Sequence, residues 1–168
     1  MKYLNPFTSA RNLANKRQTD VAFEIGIEII EVIRLEQAIF TKVPRAYVDY
    51  YRKELGLPEG WEAGYRTFQK LIRQSAPRPI HGVWQFPQGS FTFRRWRLHN
   101  WPTMSQVGWC KAFCIHPAAL YAIEKGNEGS ISKDILNAMV EANIFSEDQA
   151  RSFAWKIRQS RSHLVRAA

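Results

Sequence analysis

The chain has 168 residues, 45% hydrophobic and 23% charged, a composition that indicates a folded globular protein and excludes a disordered one. No apolar stretch approaches the ~18 residues that a membrane-spanning helix needs, and residues 1–6 lack the apolar core of a secretory signal. Two cysteines are too few for a disulfide framework, which favours a reducing, cytoplasmic setting. The net charge of +9 indicates an anionic partner, and nucleic acid is the most common one.

The excess positive charge is concentrated in the middle of the chain. Residues 56–103 hold seven Lys and Arg against two Asp and Glu, a net charge of +5. The flanking segments, residues 1–55 and 104–168, carry +2 each. The middle third is therefore the first place to look for contacts with an anion, although a solvated basic face accounts equally well for any single arginine.

Helical periodicity dominates both ends of the chain. The spacing of apolar residues, together with capping residues and glycine breaks, predicts five helices in the first half, over residues 8–16, 19–25, 28–37, 44–55 and 62–74. Helices resume near Ser105, and Ser132 caps a helix that runs to about Ala142. Ser146 and Gln149 form a capping box for a last helix of roughly four turns.

The segment between these helical regions has a different amino-acid composition. Residues 75–90, SAPRPIHGVWQFPQGS, hold three prolines and two glycines. They predict a small hairpin that pairs residues 83–86 with 91–93 across a type I turn, or else an extended linker. Residues 93–101, FRRWRLHNW, then alternate arginines with aromatic residues. Because this stretch precedes the helices near Ser105, it is predicted to be a basic arm on DNA; in the alternative, Trp96 and Leu98 pack in the core.

Residues 104–126, MSQVGWCKAFCIHPAALYAIEKG, indicate a helix, a tight turn and a second helix. Trp109 and Phe113 are one helical turn apart, and a small core is completed by Ile115, Leu120 and Ile123. His116 and Pro117 are typical of the N-cap and first residue of a helix.

This pattern resembles the helix-turn-helix of the phage lambda repressor and Cro family, whose first helix begins with Gln and whose second ends with an apolar-Glu-x-Gly signature. The matching residues are Gln106, Trp109, Cys110, Cys114, Ile115, Leu120, Ile123, Glu124 and Gly126. An earlier stretch fits the same register with Gln18, Val21, Ala22, Gly26, Ile27, Val32, Leu35 and Glu36, and Arg11 lies seven residues before its Gln. Both the Gln pair and the Glu pair are 88 residues apart, so the motif is an internal repeat.

The resemblance implies a mainly α fold with two lambda-repressor-like domains, residues 1–58 and 93–168, joined by a helix and a short extended or hairpin segment over residues 59–92. It also implies that the second helix of each motif lies in the major groove. The DNA-binding residues expected on this basis, including flanking basic residues and the basic arm, are Lys16, Arg17, Gln18, Glu28, Ile29, Ile30, Ile33, Arg34, Arg94, Arg95, Arg97, Gln106, His116, Pro117, Ala118, Tyr121, Lys125 and Asn127.

Both recognition faces depart from a typical family member, because neither offers the Arg–guanine or Asn–adenine pairs that carry most direct readout. In the first copy, Glu28 and Glu31 flank the face and would be repelled by phosphates. An alternative role for the first copy is therefore dimerisation or scaffolding. In both copies, Gln18 and Gln106 are expected to hold phosphates at a helix N-terminus.

Other chemistries fit the sequence less well. Cys110 and Cys114 with His99 or His116 do not have the spacing of a structural zinc site, and no acid is apparent to orient a cysteine–histidine pair. Glu36 and Glu124 occupy equivalent places in a repeat, which favours structural roles over paired catalytic carboxylates. We therefore expect no catalytic residues, no metal, no cofactor and no enzymatic activity.

The expected function is sequence-specific binding of double-stranded DNA as a transcriptional regulator, with the resemblance implying a phage or bacterial repressor. Because the two recognition helices differ, one chain is expected to bind an asymmetric site, with a homodimer on a palindrome as the alternative. Two other classes remain open. One is an interaction module, such as an antitoxin or inhibitor, whose recognition helices bind protein, and the other is a nucleic-acid-associated protein without sequence preference.

Overall fold

The computed structural model describes residues 4–82, 84–85, 92–125 and 131–166, with side chains described up to residue 159. Over these residues the chain is mainly α-helical and contains no strand. It folds as two compact units, unit 1 (Met1–Leu71) and unit 2 (Ile72–Ala168). The hairpin predicted over residues 83–93 falls largely outside the described residues. No helix in the described ranges is both long and apolar enough to cross a membrane.

Unit 1 is built from four helices and most of a fifth. Its first helix begins two residues before the predicted start, because Asn5 and not Thr8 is the cap: the Asn5 Oδ1 accepts from the Phe7 N–H at 2.9 Å. The buried Asn5 amide also donates to the carbonyl of Leu35 at 2.9 Å, which ties this cap to a later helix. The helices are α1 (Pro6–Leu13), α2 (Gln18–Ile25), α3 (Ile29–Glu36), α4 (Arg45–Leu55) and α5 (Trp61–Gln74), the last of which continues into unit 2.

The core of unit 1 is centred on Phe7, which is fully buried. Its ring meets those of Tyr51, Trp61 and Tyr65 edge-on, with centroids 5.0, 4.9 and 5.6 Å away. The apolar positions of the first motif complete the core: Val21, Ala22, Val32 and Leu35 are all buried. The helical pair α2 and α3 therefore packs through the side that the sequence pattern predicts.

Unit 2 contains α6 (Phe93–Asn100), α7 (Gln106–Phe113), α8 (Pro117–Lys125), α9 (Lys133–Glu141) and α10 (Glu147–Arg166). The segment predicted to be a basic arm is α6, so that prediction was wrong. Thr92 caps this helix by accepting from the Arg95 N–H at 3.2 Å. Because the bulky residues recur at helical spacing, they turn to one side, and the buried set is Phe93, Trp96, Arg97 and Asn100.

Unit 2 has its own aromatic core. Trp109, Phe113, Ile115, Leu120 and Ile123 are all buried, as predicted for residues 104–126. The capping box of α10 is confirmed, because the Ser146 N–H donates to Gln149 Oε1 at 2.8 Å and the Gln149 N–H donates to Ser146 Oγ at 3.2 Å. The helix that follows is 20 residues long rather than the four turns expected.

The repeat continues beyond the predicted motif. The helix α4 begins at Arg45 and α9 begins at Lys133, which is the same 88-residue offset as the motif itself. Tyr51 of α4 and Met139 of α9 share that offset, and each is fully buried. The helix that follows each motif, α4 in unit 1 and α9 in unit 2, therefore buries equivalent positions in both units.

Candidate nucleic-acid interface

Each unit holds a pair of helices joined by a tight turn, α2 with α3 in unit 1 and α7 with α8 in unit 2. The turn residue is Gly26 in the first pair, with φ of +77°, and Cys114 in the second, with φ of +49°. In both pairs the turn N–H donates to the carbonyl four residues earlier, Ala22 at 3.0 Å in the first pair and Cys110 in the second. The 88-residue offset matches Cys114 to Gly26, and both residues adopt the left-handed conformation that ends the first helix of the pair.

In unit 1 the end of α3 is fastened to the start of α2 through one carboxylate. Arg11 donates to Glu36 through Nε at 2.5 Å and through Nη2 at 3.0 Å. Gln18, the first residue of α2, donates its amide N–H to the same carboxylate at 2.8 Å. This Arg–Glu–Gln cluster joins three helices by charge-assisted hydrogen bonds and fixes the angle between α2 and α3.

Unit 2 repeats this cluster with Arg97, Glu124 and Gln106. The Arg97 Nε donates to Glu124 Oε1 at 2.5 Å, and the Gln106 amide donates to Glu124 Oε2 at 2.5 Å. Both charged side chains are only 3% exposed. Arg97, predicted to touch DNA from an arm, is therefore a buried structural residue, and that assignment was wrong.

A signal for the role of Arg97 was present in the sequence. Phe7 and Arg11 are four residues apart on α1, and Phe93 and Arg97 are four apart on α6. Both phenylalanines are buried in their unit's core. The spacing to the following motif differs, however. Arg97 lies nine residues before Gln106, whereas Arg11 lies seven residues before Gln18. That two-residue insertion hid the match.

The two glutamines expected to hold phosphates are engaged with glutamates instead, but not fully. An amide has two N–H donors, and the carboxylate uses one of them. Gln106 is exposed at the start of α7, whereas Gln18 is only half-exposed. The geometry leaves Gln106 the more accessible donor beside a helix N-terminus.

A further buried arginine, which the sequence pattern did not identify, braces the turn in unit 2. Arg73 donates to the carbonyls of Phe113 at 2.9 Å and Cys114 at 3.2 Å. Its Nη1 pairs with Glu141 at 2.7 Å. These bonds satisfy carbonyls at the C-terminus of α7, where the helix itself offers no partner. No local periodicity marks such a contact, because it joins residues 40 positions apart.

The outward side of the second pair carries polar and small groups. Tyr121 is 54% exposed, and the ammonium of Lys125 lies 5.4 Å from the centre of its ring. Ala118 is exposed, and its N–H donates to His116 Nδ1 at 3.2 Å, so His116 caps α8 as predicted. Pro117 is half-buried at the first helical position.

The outward side of the first pair is more apolar. Ile29 and Ile30 are 42% and 39% exposed at the start of α3, and Ile33 is half-buried. Phe23 on α2 is 88% exposed. The position that matches Phe23 in the second pair is Lys111, 88 residues later.

The charges of the first pair neutralise one another. Lys16 pairs with Glu24, Arg34 with Glu31, and Arg17 with Asp20 at 3.1 Å. The bonds from Arg17 lower the pKa of Asp20, and those from Lys16 and Tyr50 lower the pKa of Glu24. These carboxylates therefore stay ionised. Acids of the same face hold Lys16 and Arg34, whereas Arg17 keeps 83% of its side chain exposed beside Asp20.

The second pair has a different balance. Residues 104–125 contain a single acid, Glu124, and it is buried against Arg97. Counted over the whole units, residues 1–71 hold 11 Lys and Arg against nine acids, a net +2. Residues 72–168 hold 13 against six, a net +7. Most of the basic excess belongs to unit 2.

Four further residues were predicted to contact DNA. Arg94 and Arg95 are exposed on α6. Lys125 is exposed at the end of α8. Asn127 lies outside the described residues.

The two cysteines lie on and directly after α7. Cys110 and Cys114 are buried, and burial raises the pKa of Cys114 to about 11, so its thiol stays protonated at neutral pH. Among the described residues, no group of three or more His, Cys, Asp and Glu side chains is placed to hold a metal ion.

No protein-family model matches the chain, and neither the curated proteins nor the solved structures yielded a match.

Proposed function

We propose that the protein binds double-stranded DNA sequence-specifically as a transcriptional regulator, of the kind the resemblance to phage repressors implies. In this proposal the pairs α2–α3 and α7–α8 are helix-turn-helix motifs, and α8 is the principal recognition helix. The observation that carries the proposal is the charge of the α7–α8 side, which exposes Tyr121, Lys111 and Lys125 with no exposed acid among residues 104–125.

In this proposal, different residues of unit 2 contact the phosphates and the bases of the duplex. Gln106 and the N–H groups at the start of α7 suit a phosphate, because the helix dipole is positive there. Arg94 and Arg95 on α6 add phosphate contacts, which position the protein without specifying sequence. Tyr121, which is exposed on α8, is the residue we assign to a base edge, and Ala118 suits a thymine methyl group.

The first pair is the less suitable reader. Four acids, Asp20, Glu24, Glu28 and Glu31, lie on or beside its outward side, and phosphates repel carboxylates. A single asymmetric site read by both motifs would require those acids to approach the DNA backbone. We therefore assign sequence reading to unit 2.

A footprint on the DNA that flanks the gene, followed by a mobility-shift titration, tests the proposal. Tyr121→Ala should weaken specific binding by ~1–3 kcal/mol, because it removes one hydrogen-bonding contact to a base. Leu13→Ala is the control, since Leu13 is 87% exposed on α1 of the other unit and its loss should change nothing. A folded Tyr121→Ala variant with wild-type affinity would remove α8 from the interface.

Salt and competitor DNA separate the other classes. Binding through several phosphates falls steeply as salt rises, whereas an interaction module that binds protein has no DNA complex to titrate. A complex that random DNA displaces as readily as the footprinted sequence would indicate binding without sequence preference.

A further inference from the structure

The α2–α3 face of unit 1 exposes three large apolar side chains at positions where unit 2 has a lysine and two smaller residues. We define this face by Phe23, Ile29 and Ile30 together with seven charged residues around them in the sequence. Phe23 is 88% exposed, and the two isoleucines follow it on the next helix. Single exposed apolar residues are ordinary, but three on two helices that pack together are typical of an interaction surface. The matching residues of unit 2 are Lys111, Pro117 and Ala118.

The seven charged residues have both signs. The cations are Lys16, Arg17 and Arg34, and the acids are Asp20, Glu24, Glu28 and Glu31, which gives a net charge of −1. None of the seven positions 88 residues later carries a formal charge; they hold Met104, Ser105, Ala122, Gly108, Ala112, His116 and Ala119. The two helix pairs thus share one backbone motif but carry chemically different side chains at these positions.

Two of these charges remain available to a partner. Glu28 is exposed at the N-cap of α3, makes no side-chain capping bond, and has no ion pair within the part of the chain that the structure describes. Arg17 keeps 83% of its side chain exposed although it pairs with Asp20. An exposed pair of this kind contributes little stability, so its exchange for an intermolecular pair costs little.

We propose that the α2–α3 face binds the same face on a second copy of this chain. A two-fold symmetric contact places a patch against itself, so the patch must carry each group together with its complement. The α2–α3 face meets that condition through Arg17 and Glu28, and it adds exposed apolar side chains, which protein interfaces usually combine with polar ones. A DNA duplex is uniformly anionic, so it attracts the three cations of this face but repels the four acids.

Sedimentation equilibrium of the full chain without DNA tests the contact. The wild type should form a dimer, and Phe23→Ser or the double change Ile29→Ser/Ile30→Ser should raise its dissociation constant by about tenfold or more. Leu13→Ser is the matched control, because Leu13 is 87% exposed on α1 yet lies outside the face, and it should leave the dimer unchanged. Melting temperatures confirm that every variant is folded.

A charge exchange distinguishes self-association from binding of another protein. Glu28→Arg makes the face net +1, and Arg17→Glu makes it net −3, from the wild-type −1. Each variant alone should dimerise about tenfold more weakly than wild type at low salt, and a mixture of the two should associate at least as well as wild type. A mixture that associates no better than its separate components contradicts the proposal.

Two further results would overturn it. One is a wild-type chain that stays monomeric up to its solubility limit. The other is a loss of affinity for a duplex oligonucleotide in the Phe23→Ser and Ile29→Ser/Ile30→Ser variants with no change in self-association, which would show that the face reads DNA.

Discussion

Arg97 and Glu124 form a buried ion pair, with Nε 2.5 Å from Oε1, that links the first helix of unit 2 to the last turn of α8. Arg11 and Glu36 form the same pair in unit 1, also at 2.5 Å. The same cluster occurs in both units. Its carboxylate, Glu36 or Glu124, therefore has a structural role, which is to hold the two helices of each pair together. The arginine is consequently unavailable to any ligand.

The first prediction concerns the stability that this pair supplies. Arg97→Met should lower the free energy of unfolding by about 3–5 kcal/mol, because it leaves the carboxylate of Glu124 buried with Gln106 as its remaining partner among the described residues. Arg94→Met on the same helix is exposed and should change it by less than about 0.5 kcal/mol. Urea unfolding of the two variants measures the difference, and equal stabilities would mean that the pair is not buried.

A second prediction concerns the exposed arginines of α6. The combined change Arg94→Ala/Arg95→Ala should weaken binding to every DNA sequence alike and reduce the salt slope by about two phosphate contacts. Folding should be unaffected, since both side chains are exposed. Affinities measured at several salt concentrations provide the slope. If the slope stays at the wild-type value, α6 does not face the duplex.

The third prediction compares the two cysteines. Cys114→Gly should leave the free energy of unfolding within about 1 kcal/mol of wild type, because glycine relieves the positive φ while the buried sulfur is lost. Cys110→Gly should cost about 2 kcal/mol, since it combines the same loss with glycine in the interior of α7. Thermal and urea denaturation together rank the variants. A larger loss for Cys114→Gly than for Cys110→Gly would mean that the thiol at the turn matters more than the backbone.

The fourth prediction follows from the pKa of Cys114, which burial raises from an ordinary 9.0 to about 11. The folded state holds the thiol proton more tightly than the unfolded state does. Its contribution to stability is therefore complete below about pH 9 and is lost between about pH 9 and 11, with a total on the order of 3 kcal/mol. Wild type should lose stability over this window relative to Cys114→Gly, and thiol reagents should label Cys114 at neutral pH only after unfolding.

Helix boundaries were predictable from the sequence to the extent that local chemistry sets them. Gly26 and Gly56 end α2 and α4 in the left-handed conformation, and Ser105, Ser132 and Ser146 start helices by capping them. The start of α1 was misplaced, because Asn5 is fixed by the carbonyl of Leu35, 30 residues away. A distant partner leaves no trace in local periodicity.

The sequence by itself determined the duplicated helical pattern. Its 88-residue offset placed Cys114 in the slot of Gly26 and Cys110 in that of Ala22, and the backbone angles and burial agree. Such patterns are visible because core packing repeats every 3.6 residues along a helix.

Only the tertiary structure decided which charges face outward. Composition indicated three arginines in one basic segment, but folding turns Arg97 into the core and leaves Arg94 and Arg95 at the surface. Likewise, Lys16, Arg17 and Arg34 count as positive charges in the sequence, yet each is paired with an acid in unit 1. A charge acts most strongly on a ligand when it is exposed and uncompensated, and both conditions depend on the folded contacts of each side chain.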